Sequence, residues 1–229
     1  MADALTIDFS EPVALFPLPR TLLLPHATVP LHIFEARYRA MVEDALENQA
    51  LIAMAVFDGE QWKSDYEGTP PLREHVCLGV IRQHHRLPDG RFHLLLQGVC
   101  RARIVREVGD APYRQAMLMP TETSEVMEID LADHRRRLEA LLDTPELRDL
   151  AAVSTLRPWL QSDLPTAAAL DLIALSLCQE DANRYHLLAE TDPVARAEWL
   201  ESHLRQTRDT LELANRIGPS VTEDGINLN

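Results

Sequence analysis

The sequence predicts an α+β protein, in which a β-rich first half with one embedded helix forms a small closed or half-closed barrel and is followed by a helical bundle. Three observations carry this. Short apolar or alternating runs fill residues 13–120, one stretch within them repeats at helical spacing, and from Glu128 onward the hydrophobic period changes from two to 3.6. The hydrophobic fraction of 46% and charged fraction of 25% are ordinary for a folded chain, and 229 residues suffice to bury a core.

Val13 to Phe16 and Thr21 to Leu24 read as short strands, and Pro17, Pro19, Pro25 and Pro30 around them suit barrel-rim or edge positions, where a missing N–H is tolerated. Phe34, Tyr38, Met41, Val42, Ala45 and Leu46 then recur at three- and four-residue spacing and predict a helix over 35–49 with one buried face. Leu51 to Phe57 is a continuous apolar strand, and Gly59 to Arg73 a polar loop. Val76 to His85 and Arg91 to Val105 flank Leu87-Pro88-Asp89-Gly90, a turn sequence in which Pro presets one dihedral and Gly supplies a positive φ. Cys100, Ala102 and Ile104 alternate with Arg101 and Arg103, which predicts one buried face and one solvated, charged face. Tyr113 to Met119 supplies a closing strand, for about six strands in all.

In the second half, Leu131, His134, Leu138, Leu141 and Leu142 mark one helix face. Thr144-Pro145-Glu146 opens another helix with a cap residue, Pro in the first turn and an acid, and Leu147, Leu150 and Ala151 continue it. Pro165 to Cys178 places Leu170, Ile173, Ala174 and Leu177 on one stripe, and Asp192-Pro193 opens a long last helix with Leu200, Leu204 and Leu211 inward. The expectation is a barrel over 10–122, a bundle of four or five helices over 123–217, and a disordered tail over 218–229 that begins where Gly218-Pro219 stops the helix.

Charge narrows the function. The net charge is -14, with 12 basic against 15 acidic groups in residues 1–120 and 10 against 21 in 121–229. Such a surface repels phosphate backbones, which argues against a nucleic-acid partner. No apolar run approaches the length of a membrane span, and the acidic start around Asp3, Asp8 and Glu11 lacks the basic and apolar regions of a secretory signal, so a cytoplasmic protein with no membrane partner is expected. Cys77, Cys100 and Cys178 are too few and too scattered for a disulfide framework or a metal knuckle, and read as buried free thiols.

Candidate chemistry is sparse. His75, His84, His85 and His93 fall on the two arms of the hairpin, but their spacing matches no familiar ligand set, so no metal and no cofactor is expected. There is no G-x-S-x-G elbow and no P-loop, and Lys63 is the only lysine, so the chain is expected not to be an enzyme and no catalytic residue is assigned. Leu31 to Arg39 mixes aromatic and charged residues at the start of the embedded helix and could serve as a binding edge. The favoured reading has Phe34 and Tyr38 packing inward while Glu35 and Arg37 pin the strand-to-helix junction by charge-assisted hydrogen bonds.

The runs Leu15-Phe16-Pro17-Leu18, Leu24-Pro25 and Pro30-Leu31-His32-Ile33-Phe34-Glu35-Ala36-Arg37-Tyr38-Arg39, followed by Leu78-Gly79-Val80-Ile81, Leu87 to Arg91, Gly98-Val99-Cys100-Arg101 and Pro112-Tyr113, resemble in order and distance the amino-terminal substrate-recognition domain of Lon proteases. The resemblance spans roughly residues 13–215; His26 and Ala36 stand where that family often has Gly and Pro. It implies a PUA-like β pseudobarrel with one embedded helix followed by an α-helical bundle, and a non-catalytic polypeptide-binding domain standing alone, without ATPase or peptidase. Its partners would be unfolded or tagged polypeptides, a separate ATPase or protease, and weakly a second copy of itself. Binding is expected in a groove between barrel and bundle or on an apolar patch, with Pro25, His26 and Leu31 on the proline-rich strand pair and Leu87 and Phe92 on the hairpin as candidate contacts. Two rival readings are a PUA-like nucleic-acid-binding module and a hydrolase using histidine as base.

Overall fold

The computed structural model describes residues 7–19, 21–121 and 126–217. Among the described residues six strands form one sheet: β1 (Val13–Pro17), β2 (Thr28–Ile33), β3 (Leu51–Ala55), β4 (His75–Arg86), β5 (Phe92–Val108) and β6 (Gln115–Pro120), with helix α1 (Ala36–Glu47) between β2 and β3. β1 runs parallel to β3; the pairs β3–β4, β4–β5, β5–β6 and β6–β1 are antiparallel and close a five-stranded ring. β2 stands outside the ring and, among the described strands, pairs with β5 alone, through Thr28–Ile33 against Phe92–Gln97. The 17 residues of β5 serve both roles, because bulges at Leu78/Gly79, Ile81/Gln83 and Ile104/Arg106 bend the hairpin through the ring and out of it.

All five residues of β1 and all five of β3 are buried, as strands covered on both faces must be. Val13, Leu15, Leu51, Leu78, Ala102 and Leu118 come from all five ring strands and fill its interior. Phe16, Ile52 and Met54 point outward, where Tyr38, Met41 and Val42 of α1 cover them, with the Phe16 and Tyr38 rings edge to face at 4.6 Å. The helix thus forms where 3.6-residue spacing predicts it, but Phe34 is not part of its buried face: at 61% exposure it projects into water one residue before the cap.

The strand expected at Thr21–Leu24 does not form. Leu22, Leu23 and Leu24 are buried in the core, yet their backbone makes a loop that turns at His26, whose φ is 66°. Pro19 and Pro25 bracket the segment and, lacking their own N–H groups, keep a ladder from extending past either end, so its apolarity serves packing rather than pairing. The loop presses so close to β5 that a Cβ on Gly98 would lie 2.2 Å from the Leu24 carbonyl oxygen. Gly98→Ala is therefore expected to destabilise by about 1–3 kcal/mol, seen as a fall of about 2–4 °C in Tm per kcal/mol by calorimetry. An unchanged Tm would show that the loop yields freely. At the hairpin tip Gly90 has φ 82° and its N–H donates to the Leu87 carbonyl at 2.9 Å, as the Pro-Asp-Gly signal predicts.

The second half contains six helices among the described residues: α2 (Glu128–Leu142), α3 (Pro145–Arg148), α4 (Ala151–Leu160), α5 (Thr166–Leu177), α6 (Asp181–Ala189) and α7 (Pro193–Ile217). Four or five were expected. The excess arises because Leu150, with ψ 133°, separates α3 from α4 where continuous helix was read, and because α6 buries only Leu187 and Leu188 and so has a faint periodic signal. The Glu128 carboxylate on α2 accepts from the Thr166 N–H at 3.0 Å and from its hydroxyl, capping α5 from a neighbouring helix. Glu201 of α7 binds His134 at 2.8 Å, Arg137 at 2.9 Å and Arg205 at 2.9 Å. Burial pushes this carboxyl up, but hydrogen bonds from Arg137 and His134 outweigh that and hold it below its ordinary range.

Arg101 overturns the expectation of a solvated strand face. Its guanidinium is 1% exposed and donates to both carboxylate oxygens of Asp171 on α5, Oδ2 at 3.0 Å, and to the Leu187 carbonyl of α6 at 3.2 Å. Arg196 of α7 lies 3.5 Å from the same carboxylate. Period-two alternation settles which side of β5 the side chain leaves from; the helices settle that no water is there. Arg103, two residues on, is half-buried. The tail expected over 218–229 lies outside the described residues, and no described helix is long and apolar enough to cross a membrane.

Candidate functional site

The meeting of ring and helices is closed rather than grooved at the points that join them. Arg101 and Asp171 fill it at one place, and at another the Tyr185 hydroxyl of α6 accepts from the His75 N–H at 3.1 Å while Arg73 stacks over the Tyr185 ring at 4.5 Å. A cleft of about 510 Å³ opens elsewhere, between the end of β1, the first turn of α1, the loop of residues 57–70 and the β5–β6 turn.

Its lining mixes aromatic and proline residues, among them Tyr38, Phe57, Tyr66 and Pro112, with charged ones, Arg37, Glu67, Glu107 and Arg114. Arg37 organises one wall. Its guanidinium stacks over Tyr38 at 4.6 Å and Tyr66 at 4.9 Å, donates to Glu35 Oε2 at 3.0 Å, and reaches the Tyr66 carbonyl at 3.4 Å. The Tyr66 hydroxyl closes the circuit on Glu35 Oε1 at 3.3 Å. The expected role of Glu35 and Arg37 at the strand-to-helix junction is therefore present, and it also ties the loop to the helix. On the opposite wall Arg114 donates to the Pro70 carbonyl at 2.6 Å and to Glu107 at 2.7 Å. Burial pushes the Tyr38 hydroxyl well above its ordinary value, with the neighbouring Tyr66 adding to the effect; burial raises Tyr113 likewise, helped by its hydrogen bond to Asp44 at 2.7 Å. Both phenols stay protonated, and Tyr113 serves as a donor to Asp44.

This arrangement can hold an apolar or aromatic side chain by stacking and contact. Among the described residues the lining has no Ser, Cys, His or Lys, and Arg37, Arg114, Glu35 and Glu107 are engaged with one another in pairs. No group of three or more His, Cys, Asp or Glu among the described residues is placed to hold a metal ion. Cys77 and Cys178 are buried and Cys100 is half-buried; burial pushes the Cys178 thiol up to about 11, so it is inert as a nucleophile near neutral pH.

The candidate contact residues are scattered. Pro25 and Phe92 are buried, so as they stand they present no surface to a bound chain. His26 is exposed at the positive-φ turn, Leu31 is half-buried on β2, and Leu87 is half-buried at the hairpin tip. None of the five lines the 510 Å³ cleft. The cleft residues went unread because four separate segments supply them, although three aromatics, Phe57, Trp62 and Tyr66, crowd one polar loop. The hairpin histidines divide: His85 faces His93 across β4 and β5, His93 faces His32 on β2 with ring centroids 4.9 Å apart, and His75 lies at the far end of β4.

A family model described as the ATP-dependent protease La (LON) substrate-binding domain matches residues 12–206. Among curated relatives, the Lon protease of Desulfosudis oleivorans is 23% identical over 231 residues, which cover 97% of this chain and 27% of that protein. Lon protease 1 of Thermus thermophilus is 30% identical over 121 residues, covering 51% of this chain and 14% of the relative. The chain spans about a quarter of the length of curated relatives that match nearly all of it. Two solved structures share the fold: the N-terminal domain of the Mycobacterium avium complex Lon protease, with a TM-score of 0.61 at 17% identity over 85% of this chain and 98% of that one, and a Lon N-terminal domain protein from Xanthomonas campestris, with 0.59 at 22% identity over 84% and 98%.

Proposed function

This chain belongs to the ATP-dependent protease La (LON) substrate-binding domain family, and from that membership we propose that it recognises polypeptides and holds unfolded or tagged clients without cleaving them. The observation that carries the reading is the family match over residues 12–206; the cleft supports it, with half-exposed Tyr66 and exposed Pro112 offering contact to the side chains that unfolded segments expose. In this reading the barrel of residues 10–122 carries the contacts and the helices of 123–217 support it. A separate ATPase or protease consumes the client, and catalysis is no part of the chain's own role.

The binding chemistry follows from the lining. Of the cleft's aromatic side chains Tyr66 is the half-exposed one, while Tyr38, Phe57 and Tyr113 are buried behind it, and Tyr66 loses little conformational freedom on contact because Arg37 and Glu35 already fix it. Such a surface takes many apolar residues at modest affinity, as a domain serving diverse clients requires.

Fluorescence anisotropy with labelled, reduced and carboxymethylated lactalbumin tests this. The chain is expected to bind that unfolded probe and not the same protein with its disulfides intact. Tyr66→Ala is expected to weaken binding about tenfold while leaving the far-UV spectrum unchanged. No binding by the wild-type chain would end the proposal, and full binding by Tyr66→Ala would move the contact away from the cleft.

A further inference from the structure

The end of the sheet offers a second binding chemistry, directed at backbone rather than side chains. The Gly98 N–H donates to the Ala27 carbonyl at 2.8 Å, and this sets the phase of the β2–β5 ladder. With the observed register, Val29, Leu31 and Ile33 become the residues hydrogen-bonded to Leu96, Leu94 and Phe92. Thr28, Pro30 and His32 form the alternate, non-hydrogen-bonded pairs, in which side chains approach closely, and the His32 and His93 rings at 4.9 Å do so. In an antiparallel strand a residue that does not bond to one neighbour aims both its N–H and its C=O at the other side. For β2 that side is the end of the sheet. The outward edge therefore presents two donors, from Thr28 and His32, and three acceptors, from Thr28, Pro30 and His32.

We propose that the β2 edge, Thr28–Ile33, captures an extended segment of a client polypeptide as an added strand, a mode that rests on the polypeptide-binding role proposed above and names its chemistry. Backbone pairing does not read sequence, which suits diverse clients, and the exposed Thr28, Pro30 and His32 leave the approach open. Phe34, 61% exposed just beyond the strand, provides an apolar contact for whichever client residue passes it. A second copy of this chain is the poorer occupant. Pro30 takes one donor from the middle of the edge, and a two-fold pairing of β2 with itself repeats that loss on both strands, whereas an ordinary client strand suffers it once. Self-association of a chain with net charge -14 is further opposed by repulsion.

His32→Pro removes the second outward donor without touching a ladder bond, so the fold is expected to survive while lactalbumin binding weakens about three- to tenfold. The partner arm uses a fluorescein-labelled eight-residue Val/Thr peptide and its analogue N-methylated at every amide, which keeps the side chains but has no N–H for the three carbonyls. Only the parent peptide is expected to bind. Hydrogen exchange on the wild-type protein gives a readout independent of the variant: the Thr28 and His32 amides are expected to slow about tenfold when the peptide is added. If His32→Pro and the methylated peptide bind as well as their parents, or the two amides do not slow, the edge is not the site, although the polypeptide-binding role stands. If wild type binds neither lactalbumin nor the parent peptide, the role and the edge mode fall together.

Discussion

Asp171→Ala is expected to cost about 3–5 kcal/mol of folding free energy, measured as the loss in urea unfolding at neutral pH. The carboxylate is 2% exposed and lies between Arg101 of β5 and Arg196 of α7, themselves 1% and 5% exposed at their side chains. Removing it takes from two buried guanidinium groups the carboxylate they share where water does not reach, so the cost of burying their charge is no longer offset by it. The pair itself need not add net stability. Replacing Asp171 by Leu and Arg101 by Met together removes the bidentate pair but leaves Arg196 without this carboxylate, so the double variant is expected to recover only part of the loss. Because β5, α5 and α7 all contribute, the unfolding of Asp171→Ala is also expected to lose cooperativity, with the helices melting before the ring. A cost below about 1 kcal/mol would mean that the carboxylate is dispensable at this junction.

Leu78→Ala is expected to cost about 2–5 kcal/mol by the same measurement. Leu78 is fully buried among Val13, Leu15, Leu51, Val76 and Leu118 inside the ring. The ring closes through hydrogen bonds on every side and cannot collapse around a lost isobutyl group as an open sheet edge can. The neighbouring bulge at Leu78/Gly79 further limits adjustment, since a Cβ at Gly79 would already lie 2.8 Å from Leu96. Leu87→Ala, at the half-buried hairpin tip, is the contrasting control and should change stability little. A small effect at Leu78 would mean that the ring interior is looser than its burial indicates.

Several elements are legible in the sequence. The hairpin follows from Pro88-Asp89-Gly90 between apolar arms, α1 from the spacing of Tyr38, Met41, Val42 and Ala45, and the start of α7 from Asp192-Pro193, where the Val194 N–H bonds the Asp192 carboxylate at 2.9 Å. Each is a short-range rule of backbone conformation, so neighbouring residues suffice to state it. Thr21–Leu24 failed because apolarity alone does not separate a strand from a loop pressed into a core. Phe34 failed because helical spacing continues arithmetically past the cap, where the backbone has already left the helix at Glu35 with ψ 139°. Of the cleft, only the Glu35–Arg37 pair was readable, because its two members are close in sequence; Tyr66 reaches that pair across 31 positions and Arg114 reaches Pro70 across 44.

By itself, then, the sequence determined that strands around one helix precede a run of helices, and it carries the family motifs that tie residues 12–206 to a substrate-binding domain; it missed the strand Thr28–Ile33. Only the tertiary structure decided where water stops. Arg101 reads as a solvated strand residue until Asp171, 70 positions later, is folded over it. Periodicity reports the direction in which a side chain leaves the backbone, a local property. Whether it meets solvent, an ion partner or an open edge depends on segments packed from far along the chain, which no local pattern encodes.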